Sequence, residues 1–291
     1  MTSAPAVLAI VGPTASGKSA LAMERARAVD GEIVAVDAFT IYRGMDIGTA
    51  KPSAADRAAV PHHVIDVLDP SDEVSVAWFQ RVAREAVDDV LARGRTPVLV
   101  GGSGLYFRAV VDDLRFPPTD PAVRGRIEAR WADDARGAHA HLVEVDPEAA
   151  SRIEPDNLRR SVRALEVLEL TGERFSTWNA AWDDHRSIYP GLQVTYLEPQ
   201  PDVLRTRIAA RAEAMVAAGL LDEARRLRDA HPDGLSTTAR QAIGYGEAFA
   251  VLDGDQSVDG LADAIATRTW RYARRQRSWF RRDPRCERTD G

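Results

Sequence analysis

One cysteine, Cys286, stands in 291 residues, so neither a disulfide framework nor a cysteine-based metal site is available. No apolar run reaches the length of a membrane span. The opening Met1-Thr-Ser-Ala-Pro5 lacks the basic-then-apolar order of a signal peptide, so the expected compartment is the cytoplasm. Internal repeats are absent, as is any low-complexity tract beyond alanine and arginine enrichment. Lysine is nearly absent: of 38 basic residues only Lys18 and Lys51 are lysines. Arginine and lysine are not interchangeable, and a lysine kept in such a chain marks a place that wants a compact point charge. Lys51 is either under such a demand or a chance survivor of compositional drift. The 44 acids outnumber the bases, for a net charge of −6. That weighs weakly against non-specific nucleic-acid binding, although the distribution of charge matters more than its sum. What remains is an ordinary globular composition, 45% hydrophobic and 28% charged, for one large domain or two.

The chain is organised around Val7-Leu-Ala-Ile-Val-Gly-Pro-Thr-Ala-Ser-Gly-Lys-Ser19. An apolar run reading as a buried strand breaks into Gly12, Pro13, Thr14, Ala15, Ser16, Gly17, Lys18 and Ser19, a full match to G-x-x-x-x-G-K-[ST]. Helix formers come directly after it. Strand, glycine loop and helix together make a phosphate cradle, in which loop N–H groups and the helix N-terminus converge on anionic oxygens. Gly12 and Gly17 supply the required dihedrals, Lys18 neutralises phosphate charge, and the Ser19 hydroxyl is placed to hold Mg²⁺. The motif specifies a polyphosphate or pyrophosphate and leaves the reaction open.

Further along, Glu32–Asp37 reads as a second buried strand ending in a carboxylate. Residues 38–52 form a glycine-containing loop with apolar and aromatic anchors, the mark of a functional loop. His63–Asp66 reads as a short strand, Val76–Ala92 as an amphipathic helix stopped by Gly94, and Thr96–Val100 as another buried strand. This alternation implies a parallel sheet with helices on both faces. From Phe116 to about Trp182 the pattern is helical, with Pro121 and Pro155 at expected helix starts. Leu192–Leu197 returns to strand, Asp202–Ala230 is helical with a break at Gly219, and residues 261–282 form a last helix. The expected fold is an α/β, P-loop NTPase-like parallel sheet flanked by helices, with an inserted all-helical subdomain. The core spans 1–115 and 190–291, and the insertion 116–189.

Phosphate-loop ATPases and kinases pair the loop with an apolar strand ending in a metal-holding Asp. Here Val98-Leu-Val100 ends in Gly-Gly-Ser-Gly, a turn suited to close approach by a ligand. The strand-end carboxylate near the loop is Asp37, readable as a general base, an indirect metal ligand, or a helix cap or Asx-turn residue. Arg207 and Arg211, four apart on one helix face, either clamp a pyrophosphate or stay exposed. Residues 268–288 hold nine arginines against Asp283 and Glu287, with Trp270, Tyr272, Trp279 and Phe280 interleaved. An unmixed local excess of this kind in an acidic chain points to a polyanionic partner, with the aromatics packing as core anchors. Pairing with acids elsewhere in the fold is the other outcome for these arginines.

Several segments together resemble the tRNA dimethylallyltransferases, also called tRNA isopentenyltransferases. They are the phosphate loop, Ile41-Tyr-Arg-Gly-Met-Asp-Ile-Gly-Thr-Ala-Lys-Pro52, Val100-Gly-Gly-Ser-Gly-Leu-Tyr106, Asp156-Asn-Leu-Arg-Arg-Ser-Val-Arg-Ala-Leu-Glu-Val167, Gln241-Ala-Ile-Gly-Tyr245 and Arg271-Tyr-Ala-Arg-Arg-Gln276. The resemblance implies an enzyme that moves a dimethylallyl group from its diphosphate to N6 of the adenine on the 3′ side of a tRNA anticodon. The implied partners are dimethylallyl diphosphate, the anticodon stem-loop and Mg²⁺, with no membrane, and the chain is expected to act as a monomer.

By resemblance, Asp37, Lys18, Ser103 and Arg207 are catalytic, and Arg207 and Arg211 join the loop on the diphosphate. Asp37, Ala38, Phe39, Thr40 and Ser103 line the pocket of an extruded base. Arg124, Asn157, Leu158, Arg159, Arg160, Gln241, Gly244, Tyr245, Arg274 and Arg281 are expected at the tRNA. The family commonly has Ser-Met-Gln where this chain has Ala38-Phe39-Thr40, and Thr where it has Ser103. The rival readings are a small-molecule P-loop kinase, a prenyltransferase for free adenylate, and a nucleic-acid-binding NTPase without transfer chemistry. The long insertion and the basic helix favour a macromolecular acceptor.

Overall fold

The computed structural model describes residues 7–178 and 184–290. The readings of Met1–Pro5 as leaderless and of the helical stretch near Trp182 lie outside the described residues. The chain divides into two compact units, 1–112 with 187–291, and Asp113–Arg186. The expected insertion had run from 116 to 189.

The first unit is built on six parallel strands: Leu8–Val11 (β1), Glu32–Ala35 (β2), His62–His63 (β3), Pro97–Gly101 (β4), Gln193–Leu197 (β5) and Cys286–Thr289 (β6). Their order is β3-β2-β4-β1-β5-β6. The central strands carry near-continuous apolar runs because helices cover both faces. Register aligns the strand ends: Val11 lies beside Gly101 and Tyr196, and Ala35 beside Val100. The loops leaving β1, β2 and β4 therefore gather at one carboxyl edge, where open α/β sheets bind ligands.

Helices of this unit before the insertion are Lys18–Ala28 (α1), Ala54–Ala59 (α2), Val76–Ala92 (α3) and Gly104–Val111 (α4). Ser75 caps α3 by accepting the Trp78 N–H, and its buried stripe is Phe79, Ala83, Val87 and Val90. The second unit holds Pro121–Arg130 (α5), Ala135–Val145 (α6), Pro147–Ser151 (α7), Leu158–Thr171 (α8) and Phe175–Trp178 (α9). Asp120, Asp134, Asp146 and Asn157 cap the first four of these. Ile127, Leu142, Ile153, Val162 and Leu165 form its core. Pro121 opens α5 as expected, whereas Pro155 sits in the turn before the Asn157 cap. The first unit resumes with Pro201–Ala217 (α10), Leu220–Ala230 (α11), Thr237–Arg240 (α12), Tyr245–Leu252 (α13) and Leu261–Phe280 (α14). Gly219, in a left-handed conformation, separates α10 from α11.

Two expectations are corrected. The strand expected at His63–Asp66 ends at His63, because Val64 and Asp66 adopt left-handed backbone. The segment pairs with the loop after β2 instead: Asp66 N–H donates to the Thr40 carbonyl and Leu68 N–H to that of Ile41. The polar segment Cys286–Thr289, to which the sequence reading assigned no element, adds to β5 at the sheet edge.

Candidate active site

The β1–α1 loop closes through residues in uncommon conformations, Ala15 at φ 62° and Gly17 at φ 97°. Gly17 is the N-cap of α1, so the first-turn N–H groups of that helix open onto the loop. Lys18 Nζ donates back to the Pro13 carbonyl at 3.2 Å. Burial, and then repulsion from Arg211, lowers the Lys18 pKa to about 8. Burial also lowers that of Arg211. Arg211 Nη1 lies 3.5 Å from the Thr14 hydroxyl, and Arg207 donates to the Ser16 carbonyl at 3.2 Å. Among the described residues none of these three cations is in an ion pair. Lys18 and Arg211, both disfavoured by burial and the first also by the second, make a site prepared for an anion.

Thr14, Lys18, Ser19, Asp37, Thr40 and Arg211 line one cavity of about 450 Å³. Met23, Ile33, Ile65, Val100, Ile208 and Met215 give it apolar wall. Asp37 Oδ1 accepts the Phe39 N–H at 2.9 Å, so the Asx-turn and the site readings of this carboxylate hold together. Phe39 also lines the cavity. Arg207 does not: with Ala15, Ser16 and Gly17 it lines a separate cavity of about 590 Å³.

Several expected site residues are placed elsewhere. Ser103 caps α4, its hydroxyl 3.5 Å from the Tyr106 N–H, and it is not part of the cavity wall. The Gly-Gly-Ser-Gly turn, read as room for a ligand, lines the cavity at Gly101 and also makes room for α14: a Cβ at Gly102 would collide with Gln276 and one at Gly104 with Trp279. Tyr245 is fully buried and donates to Glu223 at 2.7 Å, which removes it as a tRNA contact. Gly244 N–H donates to Glu247, and the exposed Gln241 gives its carbonyl to Arg268. Lys51 lies on the cavity wall but is paired within the chain. Its ammonium donates to Asp46 at 2.8 Å, to Asp66 and to the Tyr42 carbonyl, clasping the loop after β2. Glu223 holds the same loop, accepting the N–H groups of Asp46, Ile47 and Gly48.

In the helical unit, Arg124 donates two bonds to the buried Glu166, which also accepts from Arg163 and Thr119. Asn157 is a cap and Leu158 packs on that unit's core, whereas Arg159 and Arg160 are exposed. On the last helix, Arg277 and Arg281 share Glu198, and Arg268 takes Glu247; just past it, Arg285 takes Asp112 and Asp283. Part of the local positive excess is thus neutralised by acids from distant segments. Arg271, Arg274, Arg275 and Arg282 remain exposed and make no ion pair among the described residues.

Residues 40–283 match the family described as IPP transferase. The chain belongs to that family. It is 52% identical to a tRNA dimethylallyltransferase of Parafrankia sp., over 96% of this chain and 86% of the relative. It is similar to the crystal structure of a tRNA isopentenylpyrophosphate transferase from Bacillus halodurans, with TM-score 0.70 and 39% identity over 98% of this chain and 89% of the other. It is also similar to a eukaryotic dimethylallyltransferase crystallised acting on tRNA, with TM-score 0.79 and 25% identity over 95% and 70% of the chains.

For this family member, the departure at residue 40 has a structural signature. The Thr40 hydroxyl is buried at the cavity with no hydrogen-bond partner among the described residues. Tyr272 and Gln276 of α14 line the cavity too, although the sequence reading gave neither a site role. Gln276 had a signal: it is the one polar residue on a stripe of Leu261, Ile265, Ala273 and Phe280. Among the described residues no helix is long and apolar enough to cross a membrane.

Proposed function

We infer that this chain transfers the dimethylallyl group of dimethylallyl diphosphate to N6 of the adenine on the 3′ side of a tRNA anticodon, with release of diphosphate. The observation that carries the reading is the single cavity shared by Lys18, Arg211, Asp37 and an apolar wall. The cations face a diphosphate, the apolar residues accept a five-carbon chain, and Asp37 waits for a proton. The C1–O bond breaks with its electron pair leaving on the diphosphate, where Lys18, Arg211 and the α1 N–H groups stabilise the growing charge. Arg207 supports the loop through Ser16. The N6 lone pair forms the new C–N bond, and its proton passes to Asp37.

Ser19 and Asp37 offer oxygen donors at the cavity, and no group of three or more His, Cys, Asp or Glu that could hold a metal exists among the described residues. Such a sparse hard-oxygen set would suit Mg²⁺ bound together with a diphosphate. Ser19 would hold it, and it would supply charge neutralisation to the leaving group. Thr40 presents its unpartnered hydroxyl to the base. Exposed Arg159, Arg160, Arg271, Arg274 and Arg275 meet tRNA phosphates, while Arg124 and Arg281 serve partners within the chain. The enzyme works as a cytoplasmic monomer.

Labelled dimethylallyl diphosphate with Mg²⁺ and either bulk tRNA or AMP tests the reading. Label is expected in tRNA and not in AMP. Label in AMP alone, or rapid ATP hydrolysis with no label moved, overturns it.

A further inference from the structure

Gln276 lies on the buried face of α14, and 5% of it is exposed. A buried carboxamide is unfavourable unless both ends of it find partners. Here both do, on two different loops. Its Oε1 accepts the Thr14 N–H at 2.9 Å, and its Nε2 donates to the Gly102 carbonyl at 2.8 Å. The partners fix which end of the amide is which, since an N–H needs the oxygen and a carbonyl needs the nitrogen. Gly102 leaves no room for a Cβ beside this amide. Thr14 is the third residue of the phosphate loop, and its hydroxyl also lies 3.5 Å from Arg211. The Gln276 amide reaches the cavity wall, as does Tyr272 one turn earlier. The loops after β1 and β4 are thus joined by one side chain from the far end of the sequence.

We propose that Gln276 is a positioning residue for the donor diphosphate, holding the phosphate loop in its binding shape by bridging Thr14 to Gly102. The proposal rests on the diphosphate reading of the cavity given above. A loop that binds anions through backbone N–H groups depends on their directions, and a loosened loop spends binding free energy on its own ordering. On the same helix Arg271, Arg274 and Arg275 are exposed.

The test is calorimetric binding of Mg²⁺-pyrophosphate to the full chain, together with the KM and kcat for dimethylallyl diphosphate. Gln276→Met keeps the length of the side chain and removes both bonds, together with the amide's interaction with the Tyr272 hydroxyl. It should weaken pyrophosphate about tenfold, with a matching rise in KM. Gln276→Glu keeps an acceptor for Thr14 but sets a carboxylate against the Gly102 carbonyl and the ligand. Its affinity relative to wild type should be lowest at pH 8 and recover toward pH 6, as the buried carboxyl takes up a proton and donates to Gly102. Val87→Ala, a fully buried truncation in α3, is the control for lost stability and should leave pyrophosphate affinity unchanged. Gln276 variants that bind as wild type does, with a pH-independent ratio, overturn the proposal and leave the function standing. A Val87→Ala loss equal to that of Gln276→Met also overturns it, since the effect would then be general destabilisation. Failure of the wild type itself to bind pyrophosphate overturns both readings.

Discussion

The two ends of strand β2 carry one carboxylate each, and their surroundings are opposites. At the amino end, Glu32 is buried and accepts from Arg93, Arg95 and His63. Those bonds, Arg93 first, hold its pKa down to about 2, and the same bonds raise that of Arg93. Past the carboxyl end, Asp37 shares a cavity with Lys18 and Arg211, which touch no carboxylate and whose pKa values are lowered. Charges that mutually settle one another are structure. Charges that burial disfavours, and that attract one another across an open cavity without direct contact, await a ligand. Position along one strand, with no change in residue chemistry, separates the two roles.

The comparison breaks most visibly at Asp37. Asp37→Asn keeps an oxygen for the Phe39 N–H and so keeps the turn. It removes the proton acceptor, and kcat should fall by about 10²–10⁴-fold while pyrophosphate still binds. A kcat within a few-fold of wild type would make Asp37 a turn residue and nothing more. Lys18→Ala should come next, at about 10²–10³-fold in turnover, the usual loss for one donor to a developing anion. The intact protein adds a pH signature. Lys18 titrates at about 8 in the free protein, and only its charged form attracts diphosphate. Pyrophosphate affinity should therefore fall as pH rises through 8, by up to about tenfold per unit, with proton uptake on binding. Affinity flat from pH 7 to 9 would place the diphosphate away from Lys18.

Much of this site was legible in sequence because its chemistry is local. The phosphate loop is eight consecutive residues, and Asp37 comes directly after an apolar strand. Contacts across long separations were not legible. Glu198 pairs with Arg277 and Arg281, and Asp112 with Arg285, so the surplus charge of residues 268–288 was overcounted. β6 was missed because Cys286-Glu-Arg-Thr289 has no apolar alternation and owes its strand to β5 alone. The His63–Asp66 segment was misread because Lys51 and the residue 40–43 backbone, remote in sequence, take it out of the sheet. Gly-Gly-Ser-Gly was read as a close approach by a ligand, and the approach of α14 to Gly102 and Gly104 was not foreseen.

A smaller effect is expected on the last helix. Arg271, Arg274 and Arg275 are exposed without acidic partners, and Arg281 is not an equivalent choice because Glu198 holds it. Replacing the first three by Glu should weaken tRNA binding about tenfold or more at low salt and flatten its salt dependence. The KM for dimethylallyl diphosphate should stay within about twofold, since none of the three lines the cavity. An unchanged salt slope would move the tRNA surface off this helix.

The smallest effect on turnover, and the sharpest on the comparison, belongs to Glu32→Gln. Glu32 binds a proton near pH 4.5 when unfolded and near 2 when folded. A lowered folded value means stability that is present above 4.5 and lost as pH falls from there toward 2. Two and a half units correspond to about 3 kcal/mol at neutral pH, an upper figure because the amide keeps some hydrogen bonds to Arg93 and Arg95. Gln does not titrate, so the variant should be less stable than wild type at pH 7 and should approach it as the pH drops toward 2. Denaturant midpoints across that range measure it. Turnover below the unfolding temperature should remain within about twofold of wild type, because Glu32 and its partners Arg93, Arg95 and His63 lie off the cavity wall. The mirror result, full stability with collapsed turnover, would mean that a settled ion cluster can serve catalysis from the far end of the strand. The division between the two ends would then fail.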